Sequence, residues 1–283
     1  VRLGFHLSIA GGLPRAVREA QALGLGCLQI FAGNPRSWSQ RPLDPAQAID
    51  FRRQAGLAGL HPVSVHAPYL INLASPDQDL WRRSVDMLAD QLGRAQALGA
   101  QAVVVHPGSR GQRDLTWGLE RVATGVAQAL AQAGPGAACW LENTAGGGGQ
   151  LGGTLSQLAW LLERLGGLPV GVCLDTAHAH AAGYRLSRPG EVGRFLDRVE
   201  ELLGLERVGL WHYNDILHPR GSRRDQHTHL GRGRLGVAAW AALLADPRLA
   251  GAAAVMETPK DSPWADRRNL AFLHRLERQI CNG

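Results

Sequence analysis

The chain has 283 residues, 45% of them hydrophobic and 19% charged, which is enough apolar material for a sizeable core and too little charge for a disordered polymer. A formal net charge of +6 favours a polyanionic partner, but only Lys260 is lysine among the 30 basic residues, a bias that GC-rich coding produces as readily as a phosphate-binding surface does, so charge decides little. No apolar run approaches the roughly 18–20 residues of a membrane span, and residues 1–6 read as a strand rather than a signal peptide, so the expectation is a cytoplasmic protein with no membrane partner.

Along the chain one unit recurs: a short β-rich apolar run, a polar residue, a loop, then an amphipathic helix closed by glycine. The runs are Leu3–His6, Cys27–Phe31, Val63–His66, Ala102–His106, Cys139–Glu142, Val170–Asp175, Val208–His212 and Ala253–Glu257. They are apolar on both faces, as parallel strands under helices are. Asp44-Pro45, Ser75-Pro76 and Ser262-Pro263 each read as an N-cap followed by proline at the first helical position. Gly24, Gly99, Gly134, Gly166 and Gly204 stand where helices should stop, and Leu80, Val85, Leu88 and Leu92 carry an apolar stripe. Cys27, Cys139, Cys173 and Cys281 are far apart and include no CxxC pair, so three buried thiols and no disulfide framework are expected. Eight strands alternating with helices predict an α/β chain folded as a single (β/α)₈ TIM barrel over residues 1–283. No GxGxxG follows the first strand to favour an open doubly wound sheet, and Gly146–Gly149, directly after a strand, reads as an active-site loop.

In such a barrel function gathers at the C-terminal ends of the strands. Here the third to eighth strands end in His66, His106, Glu142, Asp175, His212 and Glu257. Any one of these alone reads as a satisfied rim residue, but at this composition, allowing a three-residue window at each strand end, six in a row have a chance of roughly 0.001. The loops add His178, three residues after Asp175, and the run Asp225-Gln226-His227-Thr228-His229. Imidazoles and carboxylates without thiolates suit zinc, manganese or iron. Glu142, Asp175, Asp225 and Glu257 would crowd four negative charges into one mouth, which is costly unless cations neutralise them. Three divalent ions would leave an excess of about +2, matched to a phosphodiester and a hydroxide.

Several longer segments are distinctive: Val65-His66-Ala67-Pro68-Tyr69-Leu70-Ile71-Asn72-Leu73, His106-Pro107-Gly108-Ser109, Leu141-Glu142-Asn143-Thr144-Ala145-Gly146, Asp175-Thr176-Ala177-His178, Ala181-Ala182-Gly183-Tyr184, His212-Tyr213-Asn214-Asp215, His227-Thr228-His229-Leu230-Gly231-Arg232-Gly233 and Glu257-Thr258-Pro259. Together with His6-Leu7-Ser8 they resemble the signatures of the endonuclease IV family, in family order over nearly the whole chain. The resemblance implies a TIM barrel with three zinc ions, manganese being the alternative at one or more sites. It puts His66, His106 and Glu142 on one ion, and Glu142, as bridge, with Asp175, His212 and Glu257 on a second. His178, Asp225 and His227 would hold the third. His229 falls outside this set as a local hydrogen-bonding residue, and His180 stands where the family usually has an aromatic.

The activity implied is that of a hydrolase of base excision repair. It would cut double-stranded DNA 5′ to abasic sites, leave a 3′-hydroxyl, and clear 3′-blocked ends as a monomer. Glu142 is the expected catalytic residue, bridging the ions that share an attacking hydroxide. A metal can lower the pKa of water from 15.7 to about 7. Arg36 and Tyr69 are the expected DNA-binding residues, entering the minor groove where the abasic sugar flips out. Trp38 reads equally as a DNA contact or as rim packing, and Arg220, Arg223, Arg224, Arg232 and Arg234 as phosphate contacts or solvated charges. Three other readings compete: a metal-dependent sugar isomerase on a related barrel, a DNA-damage binder without chemistry, and an ultraviolet-damage nuclease. The histidine-rich ligand set and its completeness disfavour the first two, and the motif order disfavours the third.

Overall fold

The structure, a computed structural model, describes residues 1–282. Its strands are β1 (Arg2–Leu7), β2 (Cys27–Phe31), β3 (Val63–His66), β4 (Ala102–Val105), β5 (Ala138–Glu142), β6 (Val170–Asp175), β7 (Val208–His212), β8 (Asp215–Ile216), β9 (His227–Thr228) and β10 (Ala253–Met256). The helices are α1 (Leu13–Leu23), α2 (Pro45–Leu57), α3 (Gln78–Leu98), α4 (Leu115–Ala133), α5 (Leu155–Arg164), α6 (Thr176–Ala182), α7 (Pro189–Leu203), α8 (Val237–Ala245) and α9 (Ala265–Cys281). Eight parallel strands close into a barrel in the order β1-β10-β7-β6-β5-β4-β3-β2, while β8 and β9 form a separate two-stranded antiparallel pair. The eight expected strands are the barrel strands, with ends displaced by no more than one residue. The β8–β9 pair was not expected, because two-residue strands carry no readable period.

Alternation explains why the strands are apolar on both faces. Leu28, Val103, Val105, Leu141, Val172, Leu174, Trp211, Ala254 and Met256 point outward into the core shared with the helices. Cys27, Val104, Cys173, Leu210, Ala253 and Val255 form a second, smaller cluster inside the barrel, with Trp140 packed against it. Trp140 fits there because on one side, along β6 and then β7, the positions facing its indole are glycines. A Cβ on Gly209 would lie 2.2 Å from the indole, and one on Gly171 3.0 Å. Two residues further along the same inward rows come His66, His106, Glu142, Asp175, His212 and Glu257. The pleat that fills the barrel with apolar groups therefore aims these six at its C-terminal mouth.

Helix boundaries follow the sequence only in part. Asp44 caps α2, accepting from the Ala46 N–H with Pro45 at the first position, as expected. Ser75-Pro76 lies too early: the cap of α3 is Asp77, which accepts from the N–H groups of Asp79 and Leu80, while Ser75 Oγ only accepts from the Asp77 N–H. Ser262-Pro263 also precedes its helix, and α9 starts at Ala265 without a side-chain cap. Gly24 and Gly99 end α1 and α3 in the left-handed conformation, at φ 68° and 69°. Gly134 and Gly204 end α4 and α7, but α5 closes on Leu165, one residue before Gly166. Cys27, Cys139 and Cys173 are buried free thiols and Cys281 is exposed. No helix among the described residues is long and apolar enough to cross a membrane.

Candidate metal centre

The barrel's C-terminal mouth brings all nine expected ligands into one continuous cluster. Glu142, fully buried at the end of β5, is its hub. One carboxylate oxygen, Oε2, lies 3.2 Å from His66 Nε2 and 3.1 Å from His106 Nε2. The other, Oε1, lies 3.1 Å from His212 Nδ1, and it also faces the far nitrogen of His178, Nδ1, at 3.2 Å, a donor to the acid rather than a ligand edge. His212 Nδ1 is in turn 3.4 Å from Glu257 Oε2 and 3.9 Å from Asp175 Oδ2. Across the mouth, Asp225 places Oδ2 3.1 Å from His178 Nε2 and Oδ1 3.1 Å from His227 Nε2. Tetrahedral ligands about 2.0–2.1 Å from zinc stand about 3.3 Å apart, so these separations have the scale of ligand–ligand edges. Of four groupings of ligand atoms, His66/His106/Glu142 and Glu142/Asp175/His212/Glu257 coincide with those expected, a third joins His178 and His227 through Asp175, and a fourth sets the Cys173 thiol beside Glu142 and His212. Asp175 Oδ2 lies 3.7 Å from His227 Nε2, so this carboxylate borders two of the groups. The Asp225 contacts are shorter, and they make Asp225 the stronger candidate partner of His178 and His227.

The outer nitrogen of each of four imidazoles is held from behind. His66 Nδ1 lies 2.7 Å from the Ala67 carbonyl, His178 Nδ1 2.9 Å from that of Asn143, and His227 Nδ1 3.3 Å from that of Glu257. A carbonyl only accepts, so each Nδ1 carries the proton and each Nε2 presents a lone pair to the site. His212 is reversed, with Nε2 3.0 Å from Gln29 Oε1. His227 Nε2 is buried with no aligned hydrogen-bond partner despite its closeness to Asp225, the mark of a ligand atom rather than of a donor. The donor set therefore fits divalent cations on its own geometry.

Two buried amides fix the acids. Asn214 Nδ2 donates to Asp175 Oδ2 at 2.6 Å and its Oδ1 accepts from the Glu257 N–H at 2.7 Å. Asn143 Oδ1 accepts from the Asp175 N–H at 2.6 Å. Asp175 also caps α6, its Oδ1 accepting from the His178 N–H at 2.7 Å, which leaves Oδ2 for the site. The loop that brings in Asp225 and His227 hangs on the β8–β9 pair. There buried Asp215 accepts from the backbone N–H groups of Ile216, Gly231, Gly233 and Leu235 and from Trp240 Nε1. The same loop donates from Gly221 and Arg223 to the carbonyls of His180 and Ala181 in α6.

Without cations the cluster is a lattice of ion pairs. Burial alone would depress His178, yet Asp175, Asp225 and Glu142 hold its pKa well above the ordinary value. Burial likewise opposes protonation of His227, but Asp225 and Asp175 push it up to about 9. For His212 burial is again outweighed. The Cys173 thiol, itself pushed up to about 12 by burial, is uncharged at neutral pH, so the Glu257 and Glu142 carboxylates raise it. Burial would raise Glu142, but the positive charges of His106 and His212 hold it well below the carboxylate range.

Of the expected DNA-binding residues, Tyr69 stands at the rim of this cluster, 63% exposed, its ring 5.5 Å from those of His66 and Phe31. It overhangs a cavity of about 340 Å³ lined by His66, Asn72, His106, Ser109, Thr144 and Gln150. Gly108 opens that wall: at φ 99°, any Cβ would strike the Asn72 side chain. The Gly146–Gly149 loop borders the same region, with Gly148 and Gly149 carbonyls accepting from Ser109 Oγ and the Arg110 N–H. Arg36 is exposed on the loop after β2, which Gln40 fastens through Asn34 and Ser37. Trp38 is partly buried under Arg83, whose guanidinium lies 4.4 Å from the ring, so rim packing accounts for it. Arg220, Arg223, Arg224, Arg232 and Arg234 are all exposed. His229 bonds locally to Asp261 at 2.9 Å and Asn269 at 3.1 Å. His180 is buried in α6 with neither ring nitrogen partnered. Sequence reasoning missed Gln29 on β2, and Asn143 and Asn214 just past the ends of β5 and β7, as supports, since uncharged buried amides carry no metal signature.

A family model described as xylose isomerase-like TIM barrel matches residues 17–276. Endonuclease 4 of Thermus thermophilus is 45% identical over 276 residues, 96% of this chain and 97% of that protein. A crystal structure of endonuclease IV, also from Thermus thermophilus, superposes with a TM-score of 0.89 at 43% identity, over 99% of this chain and 100% of that one. D-psicose 3-epimerase from Clostridium cellulolyticum superposes at a TM-score of 0.65 over 100% of this chain and 97% of that one, but at 17% identity it shares the fold alone.

Proposed function

Because the chain belongs to the endonuclease IV family, we propose that it is a metal-dependent endonuclease of base excision repair. It hydrolyses the phosphodiester 5′ to abasic sites in double-stranded DNA, leaves a 3′-hydroxyl, and removes 3′-blocking groups. It acts in the cytoplasm as a monomer with one catalytic domain. Its cofactors are three divalent ions, zinc or in part manganese. His66, His106 and Glu142 hold one, Glu142, Asp175, His212 and Glu257 a second, and His178, Asp225 and His227 the third. When bound, the ions supply an activated water and positive charge for the phosphate and the leaving 3′-oxygen.

The protein's own residues prepare that chemistry. Glu142 offers one oxygen to each of two neighbouring imidazole groups, the arrangement a bridging ligand needs. Backbone carbonyls and amides keep the ligand nitrogens aimed inward before any ion arrives, which lowers the reorganisation on loading. Tyr69, its phenol pushed up to about 12 by partial enclosure at the rim and by the Glu257 and Glu142 charges, stays a neutral donor there, suited to filling the space a flipped abasic sugar leaves. Arg36, with no hydrogen bond of its guanidinium among the described residues, is free to reach a groove.

The observation that carries the reading is the convergence of nine ligand side chains around the shared Glu142 carboxylate, a set far richer in imidazole than carboxylate-based sugar isomerase sites. The test is metal analysis of untreated protein, with incision of an abasic duplex measured before and after chelation. About three ions per chain and chelator-sensitive nicking are expected. A metal-free protein that still nicks, or a loaded one that interconverts aldoses and ketoses and leaves the duplex whole, would overturn it.

A further inference from the structure

Three imidazoles in the cluster are fixed by backbone carbonyls, whose polarity cannot change. His212 depends instead on a side-chain amide, which could present either end. Gln29 lies inside the barrel on β2, in register with His6 of β1 and Ser64 of β3, and is completely buried. One end of its amide is 2.8 Å from Glu257 Oε1 and 3.0 Å from His6 Nδ1. An ionised carboxylate only accepts, so that end is the NH₂ group. The carbonyl end then faces His212 Nε2 at 3.0 Å and also accepts from Ser64 Oγ at 3.3 Å. The chain of polarity runs from Glu257 through the amide to His212: the proton sits on Nε2, and the Nδ1 lone pair is left facing Glu142 and Glu257.

We propose that Gln29, its carbonyl held by Ser64 and its NH₂ sharing Glu257 Oε1 with His6 Nδ1, is the positioning residue that sets the tautomer of His212 and pins Glu257, and so builds the Glu142/Asp175/His212/Glu257 ion site from inside the barrel. The inference rests on the metal reading above. No other imidazole of the cluster has a side-chain amide behind it among the described residues, so the effect of losing Gln29 is confined to one group of ligands.

Zinc-loaded parent and Gln29→Met proteins are titrated against a chromophoric chelator. Methionine keeps the volume and removes both ends of the relay. One zinc is expected to weaken by roughly 10–100-fold, while the remaining zinc binding is unchanged. If Gln29→Met holds every ion as tightly as the parent does, the inference falls and the metal reading stands. A parent that takes up no zinc overturns both. Nitrogen-15 spectra of the zinc-loaded parent need no variant to fold. They should show His212 metallated at Nδ1 and protonated at Nε2, the reverse of His66, His178 and His227. His212 metallated through Nε2 overturns the inference.

Discussion

The two halves of the barrel interior are built on the same strands by the same alternation, yet they obey opposite rules. Toward the base, Cys27, Val104, Cys173, Leu210, Ala253 and Val255 pack with Trp140 as an uncharged cluster, whose only polar side-chain atoms besides the indole N–H are thiols. Two residues further on, His66, His106, Glu142, Asp175, His212 and Glu257 bury titratable groups whose partners are chiefly one another. Buried charge is tolerable only when paired and hydrogen-bonded, so the mouth relies on the apolar base to hold it together. Stability and chemistry are thus separated by one pleat, about 6–7 Å of strand.

Breaking the mouth at its hub should have the largest effect. Glu142→Ala removes ligand atoms from two groups at once and is expected to lower the incision rate by roughly 10³-fold or more, since metal-supplied stabilisation is worth several kcal/mol. Single-turnover incision of an abasic duplex is the measurement. Activity within tenfold of the parent would dismiss Glu142 as the bridge. Breaking the base should do the converse. Leu210→Ala empties a fully enclosed site and should cost about 2–5 kcal/mol in urea unfolding, with incision per folded molecule unchanged. A comparable loss of activity would show that the halves are not separable.

The pH dependence sharpens the contrast. In metal-free protein the folded pKa of His227, about 9, lies above its ordinary 6.5. Its contribution to stability is therefore fully present below about 6.5 and lost as pH rises through 9, up to a few kcal/mol. Zinc must displace that proton, so metal affinity should change in the opposite sense and improve over the same window. Thermal melts of chelated protein at pH 6.5 and 9.5, set beside zinc affinity at the same values, test both signs. A melting temperature that rises with pH across this window would contradict the ion-pair description. The smallest effects belong to the rim. Arg36→Ala should weaken abasic-duplex binding about tenfold or less and reduce the salt slope by about one, and Tyr69→Ala should lower affinity without changing metal content. An unchanged salt slope would remove Arg36 from the DNA surface.

The strands and their polar ends were legible because each ligand breaks a run of apolar residues at its end, as Glu142 does after Cys139-Trp140-Leu141. The supports were not legible. Gln29 sits mid-strand between Leu28 and Ile30, where one buried amide reads as a flaw in the pattern, and only the closed barrel brings it against residues 183 and 228 positions away. The start of α3 was misread because Ser75-Pro76 and Asp77 both carry capping chemistry, and only the backbone decides which of them the helix uses. The β8–β9 pair left no period to find, although it seats His227.

The origin of the third ligand group has its own consequence. Six of the nine side chains stand on barrel strands or at their immediate ends, but His178 belongs to α6, and Asp225 and His227 to the loop closed by β8 and β9. Those two pieces grip each other directly, through Gly221 and Arg223 on the carbonyls of His180 and Ala181, with Asp215 as the outer anchor. Loss of the cations is therefore expected to loosen the two together, α6 less than the loop because Thr176 also ties it to the carbonyls of His212 and Asn214. Amide exchange in residues 217–226 and in α6 should accelerate together on demetallation while the strands stay protected, so that one third of the site opens and closes without disturbing the rest.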